Sequence, residues 1–391
     1  MNEVENYVLI NGRIYTETVV YECGYIEIEA GEIVNVQSGQ YDGDKPTVDV
    51  KGGHIVPGFI DIHIHGGYGQ DVMDGSYDGL IKLTEGLLSE GTTSFLATTM
   101  TQSVEKIDRA LNTIATYVEK EKTASRAEII GVHLEGPYIS CNKVGAQHPE
   151  YVQKPSVESL RHFQTQAQNL IKIVTIAPEV DGAAETIAAF HDQVIFSIGH
   201  TVATYDEVNT AAEQGARHVT HLYNAGTPFE HRNPGQFGAA WLNDNLNTEL
   251  IVDGIHAHPA AIKIAYKLKG NKGMYLITDA MRAKGMPDGM YDLGGQNVIV
   301  KNKEARLESG ALAGSILCMN VGLKHLIEFT EAPLADLWRV TSLNQAIALG
   351  IDDRLGSIKR GKAADLVVLN DNMDVCVTIK NGDMHTFEPC I

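Results

Sequence analysis

Residues 57–66 read Pro-Gly-Phe-Ile-Asp-Ile-His-Ile-His-Gly, an apolar β-branched run that ends in two imidazoles. Bounded by Pro-Gly and Gly, it has the length and composition of a buried strand. Side chains alternate between the two faces of a strand, so His63 and His65 project to the same side. Seven further runs of the same kind follow: TSFLATT (93–99), EIIGVHLE (128–135), IKIVTIAPE (171–179), QVIFSIGH (193–200), HVTHLYNA (218–225), TELIVDGIH (248–256) and MYLITDA (274–280). Helical patterns separate them, which is the signature of βα units around a parallel sheet. Eight is the number at which such a sheet closes, so residues 57–356 are expected to form a (β/α)8 barrel, with an open doubly wound sheet as the alternative.

The two ends read differently. Short strands broken by Asn-Gly and Ala-Gly-Glu turns fill residues 1–56, and similar ones fill 357–391. Neither piece alone would bury much, so the two are expected to pair as one small β-sandwich domain.

With 43% hydrophobic and 21% charged residues, a chain of 391 residues can bury a large core. Its net charge of −19 argues against a nucleic-acid or anionic-membrane partner, since both need a cationic face. An anionic substrate would have to meet local positive charge. The start, MNEVENYVLING, carries neither a basic nor an apolar leader, no run approaches the length of a membrane span, and a cytoplasmic location is expected. Cys23, Cys141, Cys318, Cys376 and Cys390 lack zinc-finger spacing and read as reduced thiols.

Polar residues gather at the C-terminal ends of the eight runs, where barrel enzymes build their sites. His63 and His65 end the first, Glu135 the third, His200 the fifth; His221 belongs to the sixth and Asp279 to the eighth. Four imidazoles and two carboxylates suit one or two divalent ions, Zn²⁺ or Fe²⁺. His133 shares the strand face of Glu135 and reads as a packed interior residue, and His258, before Pro259, as a helix start.

The motifs PGFIDIHIHG, HLEGPYIS, SIGHT, HLYNA, DGIH, TDA and ALAGS, in that order, resemble the N-acetylglucosamine-6-phosphate deacetylases of the amidohydrolase superfamily over nearly the whole chain. The resemblance implies a barrel of the amidohydrolase type. It also implies that Glu135, His200 and His221 hold the principal metal, with His63 and His65 kept for a second ion in members that use two, so one or two ions per subunit are expected. Asp279 is the implied base, taking a proton from the attacking water, and then the acid that returns it to the departing amine. Implied substrate contacts are Ala146, Gln147, Asn224, Ala225, Arg232, Asp253, Gly254, Ile255, His256, Leu312, Ala313 and Gly314. Arg232 would supply the phosphate-binding cation, and a homodimer would share the phosphate site across its interface. The implied reaction is deacetylation of N-acetyl-D-glucosamine 6-phosphate. Its galacto epimer is the first alternative, and a non-catalytic sugar-phosphate sensor with the same fold the second.

Overall fold

The computed structural model describes residues 6–121 and 125–387, which leaves Cys390 and the extreme ends of the terminal domain outside the described residues. Eight parallel strands follow one another round one sheet in chain order: β1 (Phe59–Ile64), β2 (Thr92–Thr99), β3 (Glu128–Glu135), β4 (Ile171–Ile176), β5 (Ile195–Ile198), β6 (Ala216–Val219), β7 (Asn247–Ile251) and β8 (Met274–Ile277). The last returns to the first. Asp279 N–H donates to His63 O (2.8 Å), and the Asp61 carboxylate accepts from Thr278 Oγ1 (2.5 Å), so the seam of the barrel runs directly beneath the candidate site. The barrel expected from the eight runs is the fold, and the open sheet is excluded by this closure.

Several strands stop short of the apolar runs that announced them. β5, β6 and β8 end at Ile198, Val219 and Ile277, before His200, His221 and Asp279. Those three residues have φ of +48°, +29° and +47°, left-handed backbone that no ladder accommodates. Gly136, just past Glu135, has φ +78°, and a Cβ there would lie 2.0 Å from Thr101 Oγ1, so the turn after β3 requires glycine.

The surrounding helices are amphipathic. The helix Val104–Lys120 is capped by Ser103, whose side chain accepts from Lys106 N–H, and buries Ile107, Ala110, Leu111 and Ile114 at three- and four-residue spacing. The helix Tyr205–Gln214 starts with a capping box between Thr204 and Glu207. Between strands and helices lies the main core, which includes Ile107, Leu111, Val132, Leu134 and Val174. Inside the barrel, Ile173, Ile251, Tyr275 and Ile277 pack together on the faces that also carry the site residues. They form an apolar floor, so the site is a cup and not a channel.

The two chain ends share a second eight-stranded sheet. His54–Pro57 from the N-terminal part runs antiparallel to Leu366–Leu369 from the C-terminal part, with Val56 opposite Val367. This sheet folds over: Ile33 N–H donates to Lys362 O (2.9 Å) and Ala364 N–H to Gly31 O (2.8 Å). Leu9, Ile26, Ile28, Ile55, Leu366 and Ile379 fill the fold-over, while Val56, Val367 and Leu369, on the other face, join the barrel core. An unforeseen three-stranded antiparallel sheet (Gly289–Leu293, Gln296–Lys301, Glu304–Leu307) is inserted after β8. Among the described residues no helix is long and apolar enough to cross a membrane.

Candidate metal centre and active site

Six side chains from five strand ends meet above the barrel floor. Glu135 Oε1 lies 3.1 Å from both His200 Nε2 and His221 Nε2, and those two nitrogens are 3.1 Å from each other. Glu135 Oε2 lies 3.2 Å from His65 Nε2, and Asp279 Oδ1 lies 3.1 Å from His65 Nε2 and 3.5 Å from His63 Nε2. Two triads of metal-competent atoms result, one of Glu135, His200 and His221, the other of His63, His65 and Asp279. All six side chains are buried or nearly so.

The remaining ring nitrogens establish the chemistry of this cluster. His200 Nδ1 sits 2.9 Å from Lys143 O, His65 Nδ1 3.3 Å from Thr98 O, and His63 Nδ1 2.8 Å from Glu249 Oε2. Each of these partners is an acceptor, so each of these three Nδ1 atoms carries a proton and leaves its Nε2 as the atom turned to the cavity, while His221 Nδ1 has no hydrogen-bond partner among the described residues. Each Nε2 therefore faces carboxylate oxygens at about hydrogen-bond distance, a spacing that a proton or a metal cation must bridge. Against the effect of burial, the facing carboxylates hold protons on these rings, raising His65 to about 9 and His63 well above the usual imidazole range; a divalent cation would take the place of those protons, and imidazole and carboxylate donors fit Zn²⁺ or Fe²⁺.

Charge on the carboxylates agrees with that fit. Burial acts to raise the Glu135 carboxyl, but the facing His63, His200 and His221 hold it well below the usual carboxylate range. Burial likewise opposes ionisation of Asp279, and His63 and His65 override it, pulling the group down to about 2. Both are anions at neutral pH.

The backbone at the site is strained. A non-glycine residue in the left-handed region costs roughly 1–3 kcal/mol, and His200, His221 and Asp279 all adopt it. The turns are held from outside: Ser140 N–H donates to His200 O (2.9 Å), and Ser315 N–H donates to Asp279 O (2.8 Å).

Over the cluster opens a cavity of about 550 Å³. Of the expected contact residues, Ala146, Gln147, Asn224, Ala225, His256, Leu312 and Gly314 line it. Gln147 is already engaged, since its Nε2 donates to Glu135 Oε2 (2.6 Å) and its Oε1 accepts from Thr101 N–H (2.7 Å). Asp253 lies behind the wall, where its carboxylate orients His256 through Nδ1 at 2.7 Å and caps the Ile255 and His256 amides. Gly254 and Ile255 belong to that turn and do not reach the cavity; Ala313 is buried, its N–H donating to Ala305 O. Arg232 is exposed on a loop and is not part of the lining.

The sequence reading missed several lining residues. Met100, Lys143, Leu293 and Arg306 all contribute to the wall, and the last two come from the inserted three-stranded sheet. Gly294 and Gly295, which follow Leu293 with φ of +60° and +87°, were the available signal for that hairpin. Glu249 was also missed, although a glutamate inside an apolar strand run is itself a signal. His133 lies under the site as expected, with Nδ1 on Ile62 O (3.0 Å) and Nε2 on Thr175 Oγ1 (2.8 Å).

Comparison with known proteins adds a family to this geometry. The amidohydrolase family model matches residues 54–384. An N-acetylglucosamine-6-phosphate deacetylase of Bacillus subtilis (strain 168) is 46% identical over 375 residues, covering 95% of this chain and 95% of its own. An N-acetylgalactosamine-6-phosphate deacetylase of Escherichia coli O157:H7 is 36% identical over 334 residues, 85% of this chain and 88% of its own. Among solved structures, a variant N-acetyl-D-glucosamine-6-phosphate deacetylase of Mycobacterium smegmatis in complex with N-acetyl-D-glucosamine-6-phosphate superposes with a TM-score of 0.92 at 30% identity, covering 97% of this chain and 99% of the other.

Proposed function

We propose, for a chain that belongs to the amidohydrolase family, the hydrolysis of N-acetyl-D-glucosamine 6-phosphate to D-glucosamine 6-phosphate and acetate. The observation that carries this reading is the acceptor cage at the floor of the cavity, with the Asp279 carboxylate on its rim. Glu135, His200 and His221 would hold one Zn²⁺ or Fe²⁺, and His63 and His65, with Asp279 beside them, a second. A cation there supplies Lewis acidity to the acetyl carbonyl and brings the pKa of water to about 7.

The chain's own groups do the rest. As an anion at neutral pH, Asp279 can accept a proton from the water that attacks the acetyl carbon. The same carboxylate then returns that proton to the amine nitrogen as the C–N bond breaks, because an amine leaves poorly unless protonated. Gln147 keeps Glu135 oriented by donating to Oε2, the oxygen on the His65 side, and occupies no proton-transfer position. Asn224 and His256 stand on the wall where sugar and phosphate would lie, His256 being steadied by Asp253. Lys143 and Arg306 are the cations of the cavity wall available to a phosphate, Arg306 with its Nε on Glu304 Oε2 (2.6 Å) and its Nη2, unpaired among the described residues, left to donate. Arg232, outside this cavity, fits the expected homodimer as a residue lent to a neighbouring subunit's phosphate.

The gluco assignment is supported by the identity to the Bacillus subtilis enzyme, which exceeds that to the Escherichia coli N-acetylgalactosamine-6-phosphate deacetylase. A sugar-phosphate sensor has no use for a poised carboxylate beside a metal cage. The test is acetate release from the gluco and galacto epimers side by side, on enzyme whose metal content has been measured. Faster turnover of the gluco epimer supports the proposal. Tight binding of either phosphate without acetate release would replace it with the sensor.

A further inference from the structure

We propose that Glu249 is a positioning residue that fixes His63 for the second cation, a role that rests on the two-ion form of the function proposed above. Glu249 lies on β7 with no solvent exposure. Its Oε2 accepts from His63 Nδ1 at 2.8 Å and, over a longer 3.4 Å, from the His221 backbone N–H. Its Oε1 has no hydrogen-bond partner among the described residues. A carboxylate so placed has given up its hydration for little direct return, and its burial calls for a compensating cation close by. The imidazole it holds points Nε2 at Glu135 Oε1 (3.4 Å) and Asp279 Oδ1 (3.5 Å), into the second triad. Carboxylate, imidazole and cation in a row are the arrangement that fixes a ligand's tautomer and raises its basicity.

The need for Glu249 follows from a competition. Glu135 Oε1 and Asp279 Oδ1 lie 3.4 and 3.5 Å from Nε2, where they can draw the single ring proton of a neutral His63. In that tautomer no lone pair faces the second triad. Glu249 offers the proton a better partner on the opposite side, and the Nε2 lone pair stays free. Its counterpart behind His65 is a neutral carbonyl, Thr98 O, at 3.3 Å, so within this triad the anionic support belongs to His63. Glu249 also forms a candidate metal cluster with His63 and His133. His133 has both ring nitrogens engaged, with Ile62 O and Thr175 Oγ1, which favours support of a ligand over a third cation site.

The experiment titrates metal-stripped protein with Zn²⁺ alone and counts bound ions per chain after equilibrium dialysis, with melting curves on the same samples. Wild type, Glu249→Leu, Glu249→Gln, His63→Gln and the double variant Glu249→Leu/His63→Gln are compared. Wild type is expected to bind two ions. Glu249→Leu should weaken the second site by about 10–100-fold and leave the first unchanged, as outer partners of ligating histidines do. Glu249→Gln, which keeps an acceptor without the charge, should fall between, and Glu249→Leu should add nothing once His63 is Gln. A merely structural Glu249 would instead weaken both sites together and lower the melting temperature of the stripped protein. That result, or wild-type second-site affinity in Glu249→Leu, overturns the proposal; if Glu249→Leu does not fold, wild-type affinity in Glu249→Gln does so. A wild type that releases acetate with one ion overturns the two-ion form and this role with it. Two ions without acetate release would overturn the proposed reaction and leave Glu249 standing.

Discussion

Replacing Asp279 with Asn removes one ionisable group and almost no volume. The carboxylate sits 3.1 Å from His65 Nε2 and 3.5 Å from His63 Nε2, and an asparagine oxygen can occupy the same place. What disappears is a group held down to about 2 by those histidines against the effect of burial, and so ionised and able to receive a proton. A positioned general acid–base is worth about 10²–10⁴ in rate. Asp279 serves both the attack of water and the departure of the amine, which places the expected loss in the upper half of that range. At 1.36 kcal/mol per tenfold, a loss of about 10³–10⁴ corresponds to about 4–5.5 kcal/mol of barrier. The assay is the initial rate of acetate release at saturating Zn²⁺, with KM and metal content measured on the same preparation. The principal ion should remain, since Glu135, His200 and His221 are untouched, while the second site should weaken because a neutral amide oxygen replaces the anionic one among its three donors. KM should change little and kcat should carry the defect. A kcat within about fivefold of wild type at equal metal loading would refute the role of Asp279, because acid–base catalysis cannot be worth so little.

Three other substitutions probe the support around the site. Arg306→Ala should raise KM for the phosphorylated sugar by about tenfold, less than a buried charge-assisted hydrogen bond allows because Arg306 is partly exposed, and leave unphosphorylated N-acetylglucosamine unaffected; equal effects on both sugars would deny it a phosphate contact. Gln147→Leu strips the donor from Glu135 Oε2 and leaves the buried Thr101 N–H unpaired, so affinity for the principal ion should fall about 10–100-fold, and unchanged Zn²⁺ binding would contradict that. Lys284→Met breaks a fully buried ion pair with Glu90 (2.7 Å), whose other oxygen holds Met319 N–H (3.1 Å). Equilibrium unfolding in denaturant should show a loss of about 3–5 kcal/mol, whereas a neutral outcome would mean that Glu90 finds other partners.

The barrel was legible because its strands are buried on both faces and read as apolar runs that rarely contain a turn residue. The overshoot of those runs had a physical cause. Glycine and asparagine normally mark left-handed backbone, but here His200, His221 and Asp279 adopt it, so the strand ends were hidden in residues chosen for chemistry. The clustering of the ligands was visible because they end strands that a closed sheet must bring together. Contacts carried by loops were less visible. Nothing local in Lys143 or Arg306 says that they reach the cavity, since their position depends on how a loop and an inserted hairpin fold back over the barrel mouth. Arg232, conversely, was implied by the family resemblance but lies outside the cavity of its own subunit. Glu249 went unread because its partner His63 is 186 positions away, on a strand that only the closed barrel sets within reach.

The claim on which the account depends is that the acceptor cage works by holding a cation. Chelator-stripped protein should release no acetate from N-acetyl-D-glucosamine 6-phosphate above the uncatalysed rate. Activity should return in proportion to the Zn²⁺ or Fe²⁺ that binds at the site. Undiminished acetate release from protein verified to be free of metal would contradict it.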